Sequence, residues 1–185
     1  MEEVIFVSGN REKIAIVKEI FKDSKINVSF KKIDCPEIQS EDGKEVAGFS
    51  ARWAANKLGK PVLKNDSFLE IEALNGFPSF SAKYVEKWLG ADGFLRLMKG
   101  IKNRKAKYLE TTAFCKPGEE PIIFQAETIL KIAEEKSGTH GWEMDNIFIV
   151  NGCKKTMANY PDEERLKLLN NDHYRKAKEC LEKLD

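Results

Sequence analysis

The sequence predicts an α/β fold: one medium domain built as two lobes. Three observations carry this. The chain opens on a strand, a tight small-residue turn and a helix between Val4 and Asp23. A clean period of two runs from Pro121 to Ala133, where Ile122, Phe124, Ala126, Thr128, Leu130 and Ile132 share one face, the mark of a long strand. With 185 residues and 42% hydrophobic content, the chain is large enough for a real core.

Val4-Ile5-Phe6-Val7 reads as a buried first strand. Ser8-Gly9-Asn10 turns it into a helix from Arg11 to about Asp23, with Ile14, Val17, Ile20 and Phe21 on one face. Such a junction aims backbone N–H groups and a helix dipole at whatever lies above it, which favours phosphate. Gly9 permits close backbone approach, and Lys13 adds a point charge in the first turn. The plainer reading is a capped turn with a surface lysine. Ile26–Ile33 reads as a second, lysine-flanked strand near an edge. Asp34 to Gln39 is a loop whose Glu37 either reaches a metal or is solvated.

Asp42 with Glu45 has capping-box spacing and starts a helix to about Leu58, with Val46, Phe49 and Trp53 as its apolar stripe. Arg52 lies beside that stripe, either leaning into a cleft or on the surface. The next stretch, Pro61 to Tyr84, organises the rest. An apolar run at Pro61-Val62-Leu63 leads to Asp66 and Ser67, then Leu69, Ile71 and Ala73 alternate with Glu70 and Glu72. A carboxylate and a hydroxyl where a strand emerges fit the tendency of α/β ligand chemistry to collect at strand carboxyl ends; an Asp-Ser turn is the bland alternative.

Ala91–Lys99 is predicted helical with Phe94, Leu95 and Met98 inward and Gly100 as its stop. Strands over Lys105–Cys115 and Pro121–Ala133 form an antiparallel pair in a second lobe covering roughly 68–135. Trp142-Glu143-Met144-Asp145 precedes the apolar run Ile147–Val150. Trp142 either stacks on a flat ring or plugs a core. Pro161 opens a helix with Asp162, Glu163 and Glu164 in its first turn. Asn170-Asn171 breaks it, and Asp172 caps a last helix with Tyr174, Ala177, Leu181 and Leu184 inward. His173 and Arg175 begin that helix, either as phosphate or base contacts or as surface residues.

Net charge is +1, from 31 basic and 30 acidic residues. No bulk field therefore recruits nucleic acid or an anionic membrane. The four cysteines, at 35, 115, 153 and 180, form no CxxC pair and only two histidines accompany them, which argues against zinc and for a reducing, cytoplasmic setting. The acidic start MEEVIFVSGN does not read as a signal peptide, and no stretch reaches the length of a membrane span.

Four features stand in order: SGNREK after the first strand, Asp66-Ser67 after an apolar run, LNGFPSFSAKY, and the segment WEMDNIF. Together they resemble the inosine triphosphate pyrophosphatase family, also called Ham1-like, over nearly the whole chain. The resemblance implies a two-lobed α/β fold with a long mixed sheet flanked by helices and a nucleotide cleft between the lobes. It implies Mg2+-dependent hydrolysis of ITP, dITP or XTP to the monophosphate and pyrophosphate, by a cytoplasmic homodimer.

Carried over by residue, Ser8, Gly9, Asn10 and Lys13 look like the triphosphate cradle. Asp66 is similar to the metal-binding carboxylate and proposed base, with Ser67 beside it and Glu37 as a second metal-associated carboxylate. Arg52 takes the place of a phosphate-binding helix lysine. Trp142 matches the purine-stacking aromatic and Asp145 the aspartate that ends that motif. Arg165 stands where the family has a lysine before a Ser-His-Arg motif.

The sequence departs from the family pattern at several positions. Asn65 replaces an acid, Phe68 a small residue, and Ser79 the glycine of a Pro-Gly turn. Ser-His-Arg itself is not intact. Gap-free counting puts Leu169, Asn170 and Asn171 there, whereas alignment on the last helix brings in His173 and Arg175. A nucleotide-binding paralogue with weak catalysis, or a pyrophosphatase for another modified nucleotide, is the alternative.

Overall fold

The computed structural model describes residues 3–184. Its seven strands are β1 (Val4–Val7), β2 (Val28–Lys31), β3 (Val62–Ile71), β4 (Pro78–Ser79), β5 (Lys105–Cys115), β6 (Ile122–Ile132) and β7 (Phe148–Val150). The helices are α1 (Arg11–Phe21), α2 (Gly43–Leu58), α3 (Ala82–Leu97), α4 (Asp162–Leu168) and α5 (Asp172–Lys183). The sheet is mixed, in the order β2-β1-β3-β5-β6-β7, with β4 on β3. β1 runs parallel to β2 and β3, while β3–β4 and β6–β7 are antiparallel. The α/β class expected from the sequence is the one found. The chain divides into two compact units, one of residues 1–66, 110–126 and 171–185, the other of 67–109 and 127–170.

In the first unit, β1 is buried on both faces and bonded on both edges, which is why VIFV reads as a continuous apolar run. Val4, Phe6 and Leu63 pack with Val17 and Phe21 of α1 and with Tyr174, Ala177 and Leu181 of α5. Phe6 meets Tyr174 edge-on, ring centroids 5.9 Å apart. On the other face, Ile5, Val7 and Val62 pack against Ala47, Ala51, Ala54 and Ala55 of α2. That face corrects the expected stripe of α2. Val46 is buried, but Trp53 is only half-buried and Phe49 points outward, 40% exposed. The contact is made by alanines instead, because small residues let the helix lie close to the strands.

The second unit closes around Leu69, Ile71, Phe94, Met98, Leu130, Ile132 and Phe148. Within it, Ile132 N donates to Arg104 O and Lys107 pairs with Glu127. The partner number falls as the strand number rises, so β5 and β6 run antiparallel as expected.

Helix α3 starts nine residues earlier than the sequence suggested and breaks at Gly90, where φ is 57° and ψ −176°. Its first half was hidden because Tyr84 and Trp88 meet each other outside, rings tilted and 5.9 Å apart, 44% and 72% exposed, and so blur the apolar period. The last helix is capped one residue earlier than expected, at Asn171, and Leu184 is 46% exposed rather than inward. No helix among the described residues is long and apolar enough to cross a membrane.

Candidate functional site

The first unit gathers most of the chemistry predicted from the sequence. Asn10 closes the Ser8–Asn10 turn as the N-cap of α1. Its Oδ1 accepts from Glu12 N at 2.9 Å and Lys13 N at 3.2 Å, and Ser8 Oγ accepts from Asn10 N at 3.1 Å. Ser8 N donates to Lys31 O, tying the turn to β2. A Cβ on Gly9 would come within 3.0 Å of the Lys32 side chain. This turn is an ordered helix start, with half-buried Lys13 in its first turn.

Strand β3 runs unbroken through Asp66 and Ser67, so no turn separates them. Successive strand residues point to opposite faces. Val62 lies on the α2 face and Leu63 on the face of α1 and α5. Lys64 and Asp66 therefore share the α2 face, and Asn65 lies on the other. Both Asp66 and Ser67 are half-buried, and their side chains diverge rather than stand side by side.

The Glu37 loop belongs with the α2 face. Cys35 packs beside Val62 and the α2 alanines. Burial chiefly raises its thiol pKa; Lys64 and Lys57 oppose this, while Asp34 and Glu37 add to it. Exposed Glu37 and half-buried Asp66 are thus oxygen donors on one face of one unit. Among the described residues no three His, Cys, Asp or Glu side chains form a ready cage for a metal. Mg2+ needs none: it is commonly held by one or two carboxylates plus waters and substrate phosphates, a donor set these two residues fit. Arg52 is exposed on α2 and pairs with Glu120.

The opposite face holds a polar cluster that sequence reasoning only partly found. Glu110, Thr112 and Phe114 alternate onto it from β5, Phe114 packing with Phe6 and Tyr174. Asn65 Nδ2 donates to Glu110 Oε2 at 3.0 Å and to Thr111 O at 3.2 Å. His173 is 1% exposed, and its Nδ1 lies 2.8 Å from Thr112 Oγ1. Burial pushes the imidazole pKa down to about 4; Glu110 resists the shift and Lys13 reinforces it. His173 is therefore neutral near pH 7, within electrostatic range of Lys13 and Glu110.

Of the two ways to place the C-terminal motif, alignment on the last helix brings in this buried histidine, within electrostatic range of Lys13. Asn170 is instead engaged with Thr128 and Glu127, and Arg175 is exposed and paired with Asp172 at 2.9 Å. Glu110 and Thr112 carry no motif. Their signal is polar residues at alternate positions on a strand face that continues as Phe114.

The second unit holds the remaining candidates. A short 3-10 turn at Glu143–Asn146 follows Trp142, which is 45% exposed. Asp145 and Arg165 are buried against each other, Oδ2 to Nη1 at 2.7 Å, and Arg165 Nη2 reaches Asp162 at 3.2 Å. Asp145 Oδ2 also accepts from Trp142 N at 3.1 Å.

Known proteins are similar to this chain in architecture and in sequence. A solved structure of the Staphylococcus aureus Ham1 protein superposes with a TM-score of 0.82 at 27% identity, covering 100% of both chains. The dITP/XTP pyrophosphatase of Methanopyrus kandleri is 40% identical over 166 residues, 90% of this chain and 88% of that protein. The inosine triphosphate pyrophosphatase of Puccinia graminis is 36% identical over 171 residues, 88% of each. The family model described as the Ham1 family matches residues 4–183. From its opening turn to its last helix, this chain belongs to the Ham1 family.

Proposed function

We propose that the chain hydrolyses non-canonical purine nucleoside triphosphates (dITP, ITP and XTP) to the monophosphate and pyrophosphate. The observation that carries this is the 40% identity, across 90% of the chain, with a protein named dITP/XTP pyrophosphatase. The site residues supply chemistry of the right kind. Lys13 and the α1 N-terminus meet the phosphates, and Lys13 stabilises charge that develops on the leaving pyrophosphate. Asp66 accepts the proton of the water attacking the α-phosphorus.

Glu37 and Asp66 are the carboxylates that would hold Mg2+. When bound, the ion supplies neutralisation of phosphate charge and polarisation of the attacking water. Trp142 offers an exposed aromatic face for the purine ring. The same reading makes the enzyme a cytoplasmic homodimer that uses neither nucleic acid nor a membrane.

One observation favours a second reading, a nucleotide-binding paralogue with weak catalysis. The acid expected at position 65 is an asparagine committed to Glu110 and Thr111 O. Pyrophosphate release from dITP, ITP, XTP, ATP and GTP, with and without Mg2+, separates the two. Metal-dependent turnover that favours the first three supports the enzyme, and Asp66→Asn then abolishes it. Nucleotide binding without turnover selects the paralogue.

A further inference from the structure

The turn that carries Trp142 is anchored at two points, both inside the second unit. The first anchor is Glu143. Helix α3 leaves helical geometry at Gly90 and resumes at Ala91. The resumed segment begins with N–H groups that have no partner within the helix. Glu143 Oε1 accepts one of them, Ala91 N, at 3.1 Å. A Cβ on Gly90 would stand 2.5 Å from that oxygen. The glycine thus both permits the break, at a φ of 57°, and leaves room for the carboxylate.

The second anchor is the Asp145–Arg165 pair. Asp145 Oδ2 accepts from Arg165 and reaches back to Trp142 N, as the acidic member of a capping box does. Gly141 lies directly over the pair, where a Cβ would come within 2.1 Å of Asp145 Oδ2 and 2.7 Å of Arg165 Cζ. The backbone N–H of Trp142 and the Glu143 side chain next to it are therefore tied down, while Trp142 stays 45% exposed.

We propose that Glu143 is a positioning residue for base recognition: by capping Ala91 at the break in α3 it fixes, together with Asp145 and Arg165, the backbone that presents Trp142 to a flat purine ring. This rests on the pyrophosphatase reading above. The charge of Glu143 is spent on a backbone amide and does not read the base edge. What it contributes is a pre-set ring orientation, which lowers the ordering cost of binding.

The test uses full-length protein carrying Trp53→Phe and Trp88→Phe, so that emission reports on Trp142 alone. Glu143 is exposed, and Glu143→Ala leaves the core intact. In Glu143→Ala we expect amide exchange at Ala91 to quicken about tenfold or more as the local bond is lost. Trp142 anisotropy falls, and KM for dITP rises about five- to tenfold with kcat held within about twofold, the pattern of lost uniform binding. Glu143→Gln restores all three, since its amide oxygen accepts the same bond.

Unchanged exchange and anisotropy in Glu143→Ala overturn the proposal. So does a Glu143→Gln variant that matches Glu143→Ala in KM while keeping wild-type anisotropy, because the charge itself would then be touching the nucleotide. Absence of turnover in the parent protein overturns the pyrophosphatase reading instead, and the exchange and anisotropy measurements still decide the anchor.

Discussion

Acid should destabilise this protein through His173, over a window the structure defines. His173 is 1% exposed, and burial lowers its pKa from 6.5 to about 4. The unfolded chain takes up a proton as pH falls through about 6.5, and the folded chain only near 4, so stability is complete above the upper value and drains away toward the lower. At about 1.4 kcal/mol per pH unit, the full gap is worth about 3 kcal/mol, of which about 2 kcal/mol is already lost at pH 5.

Charges around the ring act on this in both directions. Glu110 and Asp172 favour the imidazolium, and Lys13 and Arg175 oppose it. The assay is urea unfolding of wild type and His173→Asn from pH 4.5 to 7.5. Asparagine keeps a polar atom near Thr112 Oγ1 and does not titrate, so its packing loss is a constant offset while other acid-labile groups cancel. The wild type should lose its advantage over the variant by about 2 kcal/mol between pH 7 and 5. A difference that stays flat within about 0.5 kcal/mol would refute the argument that this histidine is buried neutral.

Arg165→Met should cost about 3–5 kcal/mol in urea unfolding, because it strands the Asp145 carboxylate, 5% exposed, in the second unit. Adding Asp145→Asn should recover much of that loss, and a single-variant cost below about 1 kcal/mol would mean the pair is solvated. Ser79→Gly should stabilise by about 0.5–1 kcal/mol, since Ser79 is held at a φ of 52° where an L side chain is strained; thermal unfolding that shows no gain would remove strain as the reason a glycine suits this position.

Much of the fold was legible because local pattern and global packing agree. VIFV is apolar throughout and buried throughout, Asp42 caps where its spacing says, and the alternation of β6 survives as the buried set Ala126, Thr128, Leu130 and Ile132. The errors came where a residue's company, not its type, decided its side. Phe49 is large and faces out, while Ala51 is small and faces in, because the sheet offers α2 little depth. Half of α3 was invisible since Tyr84 and Trp88 satisfy each other outside.

The site divided in the same way. Lys13 and Asp66 follow from motifs that place them on an ordered turn and a strand. Glu110 and Thr112 depend on which β5 residues face α5, and only the packed sheet reveals that. Asp145 and Arg165 were legible as types, but they stand 20 positions apart in sequence, and their mutual burial depends on how the chain between them folds.

The alanine face of α2 sets how that helix responds to change. Alanine has no rotamers to freeze, so burying Ala47, Ala51, Ala54 and Ala55 costs no side-chain entropy. The same economy leaves nothing that can yield. A leucine core absorbs an extra methylene by switching rotamers, whereas here an added carbon lifts a 16-residue rod bodily. Arg52 rides on the outer side of that rod and Glu37 on the loop leading into it. A substitution buried beneath the helix would therefore register as a displacement of charge on its surface.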